Sequence, residues 1–208
     1  EVRRVERRLA AAADMLLFAS ARDRDLLVAD VRDRGLSPRT MVVPNGVDTD
    51  YWHRGSRSLG LRAIVMTGKM DYPPNEDAAL LLADSVLPAV RRSVPDAELC
   101  IVGRDPARRL LAAGERTGIT VTGEVPDVRP YVERAAVFAA PLRFGAGIQN
   151  KLLEAMAMEV PVVASPLAAD GLRTDGGTPV PVAVGCTREE IADRVVELPL
   201  AAPGRGGG

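Results

Sequence analysis

The sequence predicts an α/β protein, a Rossmann-like parallel sheet with helices on both faces. Two observations carry that expectation. Short, nearly continuous apolar runs alternate with longer segments of helical periodicity, and a parallel strand buried on both faces reads as such a run. Glycines then follow four of the runs closely, at Gly68, Gly103, Gly123 and Gly145. In open parallel sheets ligands bind on the loops beyond the carboxyl ends of the strands, so these glycines predict one crowded edge.

In chain order the apolar runs predict strands at 15–19, 40–43, 63–67, 98–102, 119–122, 137–142, 161–164 and 181–184. Helical periodicity fits 2–13, 23–34, 76–92, 107–116, 128–135, 148–158 and 188–197. Pro44-Asn45-Gly46 breaks the pattern, and an irregular polar stretch follows it. The expected organisation is therefore fourfold. Residues 1–44 carry trailing elements of a preceding, incomplete domain, and 45–59 are a linker. Residues 60–200 form the Rossmann-like domain, and 201–208 a flexible Gly-rich tail.

Composition narrows the function. The chain has 208 residues, 47% of them apolar, enough for a sizeable core. A formal net charge of -1 gives no long-range field for nucleic acid or an anionic membrane. Two cysteines, Cys100 and Cys186, make neither a disulfide framework nor a zinc set, and Cys100 in its apolar run reads as a buried thiol. A single histidine, His53, leaves little room for a His-based metal site or a Ser-His-Asp triad. No signal peptide or long apolar span is evident, so a cytoplasmic protein is expected, at most peripheral at the inner face of the membrane. Of 27 basic residues only Lys69 and Lys151 are lysines, and both lie in Gly-bearing segments.

The strongest chemical signal is Phe144-Gly145-Ala146-Gly147-Ile148 running into Gln149-Asn150-Lys151-Leu152-Leu153-Glu154. A strand enters a Gly-x-Gly turn that opens a helix, and bare amides at a helix N-terminus attract phosphate. A dinucleotide fingerprint would need glycine at 150 and an acid after the next strand. The chain has Asn150 and Ser165-Pro166 there, which argues against NAD. Glu154 is instead on the helix, two turns in, where a carboxylate can accept bonds from ribose hydroxyls. Its neighbours are mostly apolar, and a buried lone carboxylate needs a partner. A second segment, Thr67-Gly68-Lys69, puts a cation directly after a strand, suited to a diphosphate. A third, Gly123-Glu124-Val125-Pro126-Asp127, ends a strand and enters a short helix capped by Asp127.

Together these segments resemble the C-terminal, donor-binding half of retaining GT-B glycosyltransferases of the group 1, family 4 type, similar to those of exopolysaccharide and surface-glycan assembly. Val43-Pro44-Asn45-Gly46-Val47-Asp48 resembles their interdomain hinge. Gly68-Lys69 resembles the loop gripping the distal phosphates, Gly123 and Val125 the base-side loop, and 150–157 with the following strand the donor-binding helix. The resemblance implies transfer of a sugar from a nucleotide diphosphate sugar to a hydroxyl, with Lys69 and Glu154 as catalytic candidates. It implies donor contacts from Gly68, Lys69, Gly123, Val125, Phe144, Gly145, Ala146, Gly147, Ile148, Lys151 and Glu154. It implies no cofactor and no obligatory metal, consistent with the lack of an Asp-x-Asp cluster. The acceptor, a glycan or lipid-linked hydroxyl, would be met through an N-terminal domain, so the chain alone is expected to be inactive.

Two departures stand out. Relatives often carry a second acid eight positions before the ribose-binding one, where this chain has Ala146. They often carry a second basic residue several positions after Lys69, where it has Tyr72, Pro73, Pro74 and Asn75; Lys151 is the candidate for that charge. Two other readings share the signals. One is a nucleotide-sugar 2-epimerase, needing a cleft histidine for which His53 is the sole candidate. The other is a non-catalytic nucleotide-binding fragment or partner subunit.

Overall fold

Residues 2–55, 63–145, 149–172 and 181–198 are described by the structure, a computed structural model. The 201–208 tail and Ala146, Gly147 and Ile148 lie outside the described residues.

The chain opens with helix α1 (Val2–Ala12), strand β1 (Leu16–Phe18), helix α2 (Ala21–Arg32) and strand β2 (Thr40–Val42). β1 and β2 pair in parallel as a two-stranded sheet of their own, with Leu17 opposite Met41. Ser20 caps α2 by accepting a bond from the Asp23 amide at 3.1 Å, which starts the helix two residues before its expected position. Arg7 donates twice to Asp30, at 2.6 Å each, and ties α1 to α2.

The remaining strands are β3 (Ala63–Thr67), β4 (Glu98–Val102), β5 (Ile119–Val121), β6 (Val137–Ala140), β7 (Val162–Ala164) and β8 (Ala183–Val184). They form one six-stranded sheet in the order β5-β4-β3-β6-β7-β8, every pairing parallel. Every residue of β3, β6 and β7 is buried, which explains why these strands read as unbroken apolar runs. Phe138, Ile64, Met66 and Leu99 are at the centre of the core.

Helices α3 (Pro73–Leu81), α4 (Leu87–Val90), α5 (Arg108–Gly114), α6 (Arg129–Glu133), α7 (Asn150–Ala157), α8 (Pro166–Asp170) and α9 (Arg188–Glu197) connect and cover the strands. The single helix expected over 76–92 is interrupted by a π-helical turn at Leu82–Val86. Pro88 lacks the N–H of a regular turn and crowds the carbonyl one turn before it, and a widened turn accommodates both. Helix α8 was not expected, although Ser165 as N-cap and Pro166 at the first helical position are a standard start signal. Asp127 was expected to cap α6, but Val128 takes the N-cap position and no side chain caps the helix. Asp127 precedes it and accepts from the Arg129 amide at 2.9 Å.

Candidate functional site

In this strand order β3 and β6 are neighbours, but the chain leaves them toward opposite halves of the sheet. The loops after them diverge, and such a switch point opens a crevice at the carboxyl edge. A cleft of about 420 Å³ lies there, lined by Gly68, Lys69, Arg104, Lys151, Glu154 and Trp52 among others.

Its floor requires glycine. A side chain on Gly103 (φ 149°) would place its Cβ 1.7 Å from the Gly68 carbonyl oxygen. On Gly68 (φ 155°) the Cβ would come 2.8 Å from the Asn75 amide nitrogen. The Gly103 amide donates to the Gly123 carbonyl at 3.1 Å, which joins the third glycine loop to the same edge.

Charge is concentrated on the walls. Lys69 is half-exposed and pairs with the equally exposed Asp71 at 3.0 Å, a contact that water and salt weaken. Lys151, in the first turn of α7, donates to Asn75 Oδ1 at 2.8 Å. Burial lowers its ammonium to about 8, partly opposed by Glu154 one turn along. Glu154 is itself half-buried, and burial raises its carboxyl while Lys151 pulls it down. Among the described residues its carboxylate accepts no hydrogen bond, so both charged groups are desolvated and incompletely compensated.

The structure therefore brings Gly68, Lys69, Lys151 and Glu154 into one cleft. Phe144 and Gly145 line an adjoining pocket against Tyr72, Pro74 and α2, and Gln149 borders both spaces. Gly145 (φ 118°) lies against the Pro74 ring, where a Cβ would be 3.2 Å away. Gly123 reaches the edge through its bond to Gly103, whereas Val125 lines a separate groove with Pro126 and Tyr131. His53 is exposed, its Nδ1 2.6 Å from the Asp50 carbonyl oxygen, and is not among the residues lining the cleft, which leaves the epimerase reading without its histidine. Cys100 is half-buried and its thiol is raised to about 11 by burial, an unreactive state.

Arg104, Trp52 and Asn75 also line the cleft and were not read from the sequence as site residues. For Arg104 a signal was available. Thr67 pairs with Val102 in register, so Thr67-Gly68-Lys69 and Val102-Gly103-Arg104 are the same strand–glycine–cation device on adjacent strands. Trp52 is brought in by the segment after Asn45, which is fastened to the sheet domain. Asn45 donates to Asn150 Oδ1 at 2.8 Å, the Arg129 guanidinium lies 3.9 Å from the Tyr51 ring centre, and the Gly55 amide donates to Glu133 at 3.1 Å. Among the described residues no group of three or more His, Cys, Asp or Glu could hold a metal ion, and no helix is long and apolar enough to cross a membrane.

Comparison with known proteins places this arrangement. Residues 62–199 match the family model described as glycosyl transferases group 1. The phosphatidyl-myo-inositol mannosyltransferase of Mycobacterium tuberculosis is 34% identical over 142 residues, covering 64% of this chain and 37% of that protein. The GDP-mannose-dependent alpha-(1-6)-phosphatidylinositol monomannoside mannosyltransferase of the same organism is 30% identical over 226 residues, covering 94% and 55%. The chain thus spans between about a third and just over half the length of these relatives. By name these are phosphatidylinositol mannosyltransferases rather than the exopolysaccharide enzymes that the motifs suggested. Among solved structures, Anabaena HepE in complex with UDP-glucose superposes with a TM-score of 0.69 at 16% identity, over 93% of this chain and 56% of that one. TarM superposes with a TM-score of 0.70 at 14% identity, over 94% and 38%. At such identities the likeness is one of fold, that of the C-terminal half of the GT-B fold. With the family model matched over most of the sheet domain, the chain belongs to the group 1 glycosyltransferases.

Proposed function

We propose that the chain is the donor-binding half of a retaining hexosyltransferase that draws on a nucleotide diphosphate sugar. The observation that carries this reading is the meeting of Lys69, Lys151 and Glu154 in one cleft at the topological switch point. The cations face the developing charge of a departing diphosphate, and preorganised charge in a partly desolvated cleft is worth more than in water. Glu154, whose carboxylate accepts no hydrogen bond among the described residues, would accept from the ribose hydroxyls. The cations of the cleft would carry the leaving group's charge without a metal cofactor. The names of the relatives favour guanosine diphosphate mannose as donor and a phosphatidylinositol-type lipid as acceptor. A lipid acceptor would put the reaction at the inner face of the membrane. The β1–β2 unit, with a sheet of its own, is read as the end of the acceptor-side domain, and 45–59 as the linker.

The test is calorimetric titration of the chain with GDP, UDP and GMP. Binding of a diphosphate, weakened by Glu154→Ala, is expected. A chain that folds and binds none of the three overturns the reading.

A further inference from the structure

Asn75 is one of four buried polar residues among those described, and two separate elements of the cleft, the loop after β3 and the start of α7, converge on its carboxamide. Its Nδ2 donates to the main-chain carbonyl of Lys69 at 3.0 Å. Its Oδ1 accepts from the Lys151 ammonium at 2.8 Å. Gly68 passes so close that a Cβ there would stand 2.8 Å from Nδ2. The residue itself is fixed in the first turn of α3, its amide bonded to the Tyr72 carbonyl at 2.9 Å. An amide has both a donor and an acceptor end, and here each end is used on a different side of the cleft.

We infer that Asn75 is a positioning residue that joins the Lys69 loop and Lys151 into one clamp for a diphosphate. The inference rests on the nucleotide reading of the cleft. The geometry explains why α7 can supply a cation here. A lysine at the start of a half-buried helix needs an anchor to hold its amine toward the opening. An uncharged acceptor anchors it without neutralising it, so the charge stays available to phosphate. The same residue fixes the turn that carries Lys69, so the two cations keep their spacing. The other charged groups that line the cleft are Glu154 on the same helix, Lys69 on the loop after β3 and Arg104 on the loop after β4.

The test compares GDP and GMP binding by calorimetry for wild type, Asn75→Ala, Lys151→Met and the double variant. Asn75→Ala is expected to weaken GDP about tenfold and GMP less than about twofold. In the Lys151→Met background the same substitution should cost GDP distinctly less than it does alone, because coupled residues are not additive. Equal weakening of GDP and GMP, or full additivity, overturns the clamp while leaving the nucleotide site in place. A wild-type chain that binds neither nucleotide overturns the site and the clamp together.

A second variant is independent of ligand. The chain has only two lysines, so ¹³C-lysine NMR gives two side-chain titrations. The near-isosteric Asn75→Asp puts a carboxylate against the Lys151 amine and should move its midpoint up by about one unit or more. An unmoved Lys151 midpoint overturns the contact.

Discussion

The two sheets of this molecule are made of similar residues and do different things with them. In the six-stranded sheet β3 and β6 have no exposed position, and Phe138 is completely covered. In the two-stranded sheet Leu17 and Met41 face each other in register yet are 65% and 54% exposed. The large sheet is covered on both faces and can hold desolvated charges at its carboxyl edge. The small one leaves apolar area uncovered, and two strands alone are marginal. The cleft's rigidity therefore comes from the large sheet: the loops after β3, β4 and β6 are anchored in a buried platform, while from the described residues up to 44 only Ser20 and α2 line the adjoining pocket.

Truncating one buried and one exposed side chain, one in each sheet, tests this contrast most strongly. Phe138→Ala removes a fully buried ring and is expected to cost about 3–5 kcal/mol in denaturant unfolding. Leu17→Ala removes an exposed side chain and should stay within about 0.5 kcal/mol. Equal losses would mean that the small sheet is as well packed as the large one.

The next effects concern the cleft. Glu154→Ala is expected to weaken GMP and GDP alike, by about ten- to a hundredfold, through loss of a charge-assisted bond to the ribose. Calorimetry showing a loss confined to the diphosphate would reassign Glu154.

Lys151 should show the opposite sign in stability. Burial holds its ammonium at about 8, below the ordinary 10.5, so the folded chain bears the cost of a buried charge at neutral pH. Lys151→Met should therefore raise stability, by on the order of 1–2 kcal/mol, while weakening GDP. Between pH 8 and 10.5 the unfolded chain keeps a proton that the folded chain has released, so wild-type stability rises with pH relative to the variant. Thermal unfolding of both proteins across that window checks it, and a gap that widens with pH would contradict the desolvated amine.

The smallest effect is expected at Lys69. Its side chain is 48% exposed, so Lys69→Ala should weaken GDP about tenfold or less, leave GMP nearly unchanged, and lose its effect as salt rises. Equal weakening of the two nucleotides would remove Lys69 from the distal phosphate.

The contrast between the sheets also governs what was legible in the sequence. Strands β3 and β4 were legible to the residue because burial leaves almost only apolar types in them, the exposed Glu98 marking where β4 begins. The loop glycines were legible because Gly68 and Gly103 touch each other's backbones and nothing larger fits. Glu154 stood out as an acid on an apolar helix. Arg104 was missed because its partner signal lies on a neighbouring strand, visible only once register pairs Val102 with Thr67. Asn75 was missed for a different reason: an asparagine after two prolines reads as a turn residue, and only the fold shows that its amide joins the Lys69 loop to the start of α7. The π-helical turn was not legible because Pro88 falls inside a long periodic pattern, and periodicity does not show where the displaced carbonyl goes.

On the proposed reading the nucleotide diphosphate is held at the switch point, between the loop after β3 and the start of α7. Hydrogen exchange with and without saturating GDP tests it most directly, because it reads every region at once. The expected result is new protection in residues 67–75 and 149–157, with β1 and α2 unchanged. Protection centred on residues 16–42, or none in the cleft while GDP is bound, would contradict it.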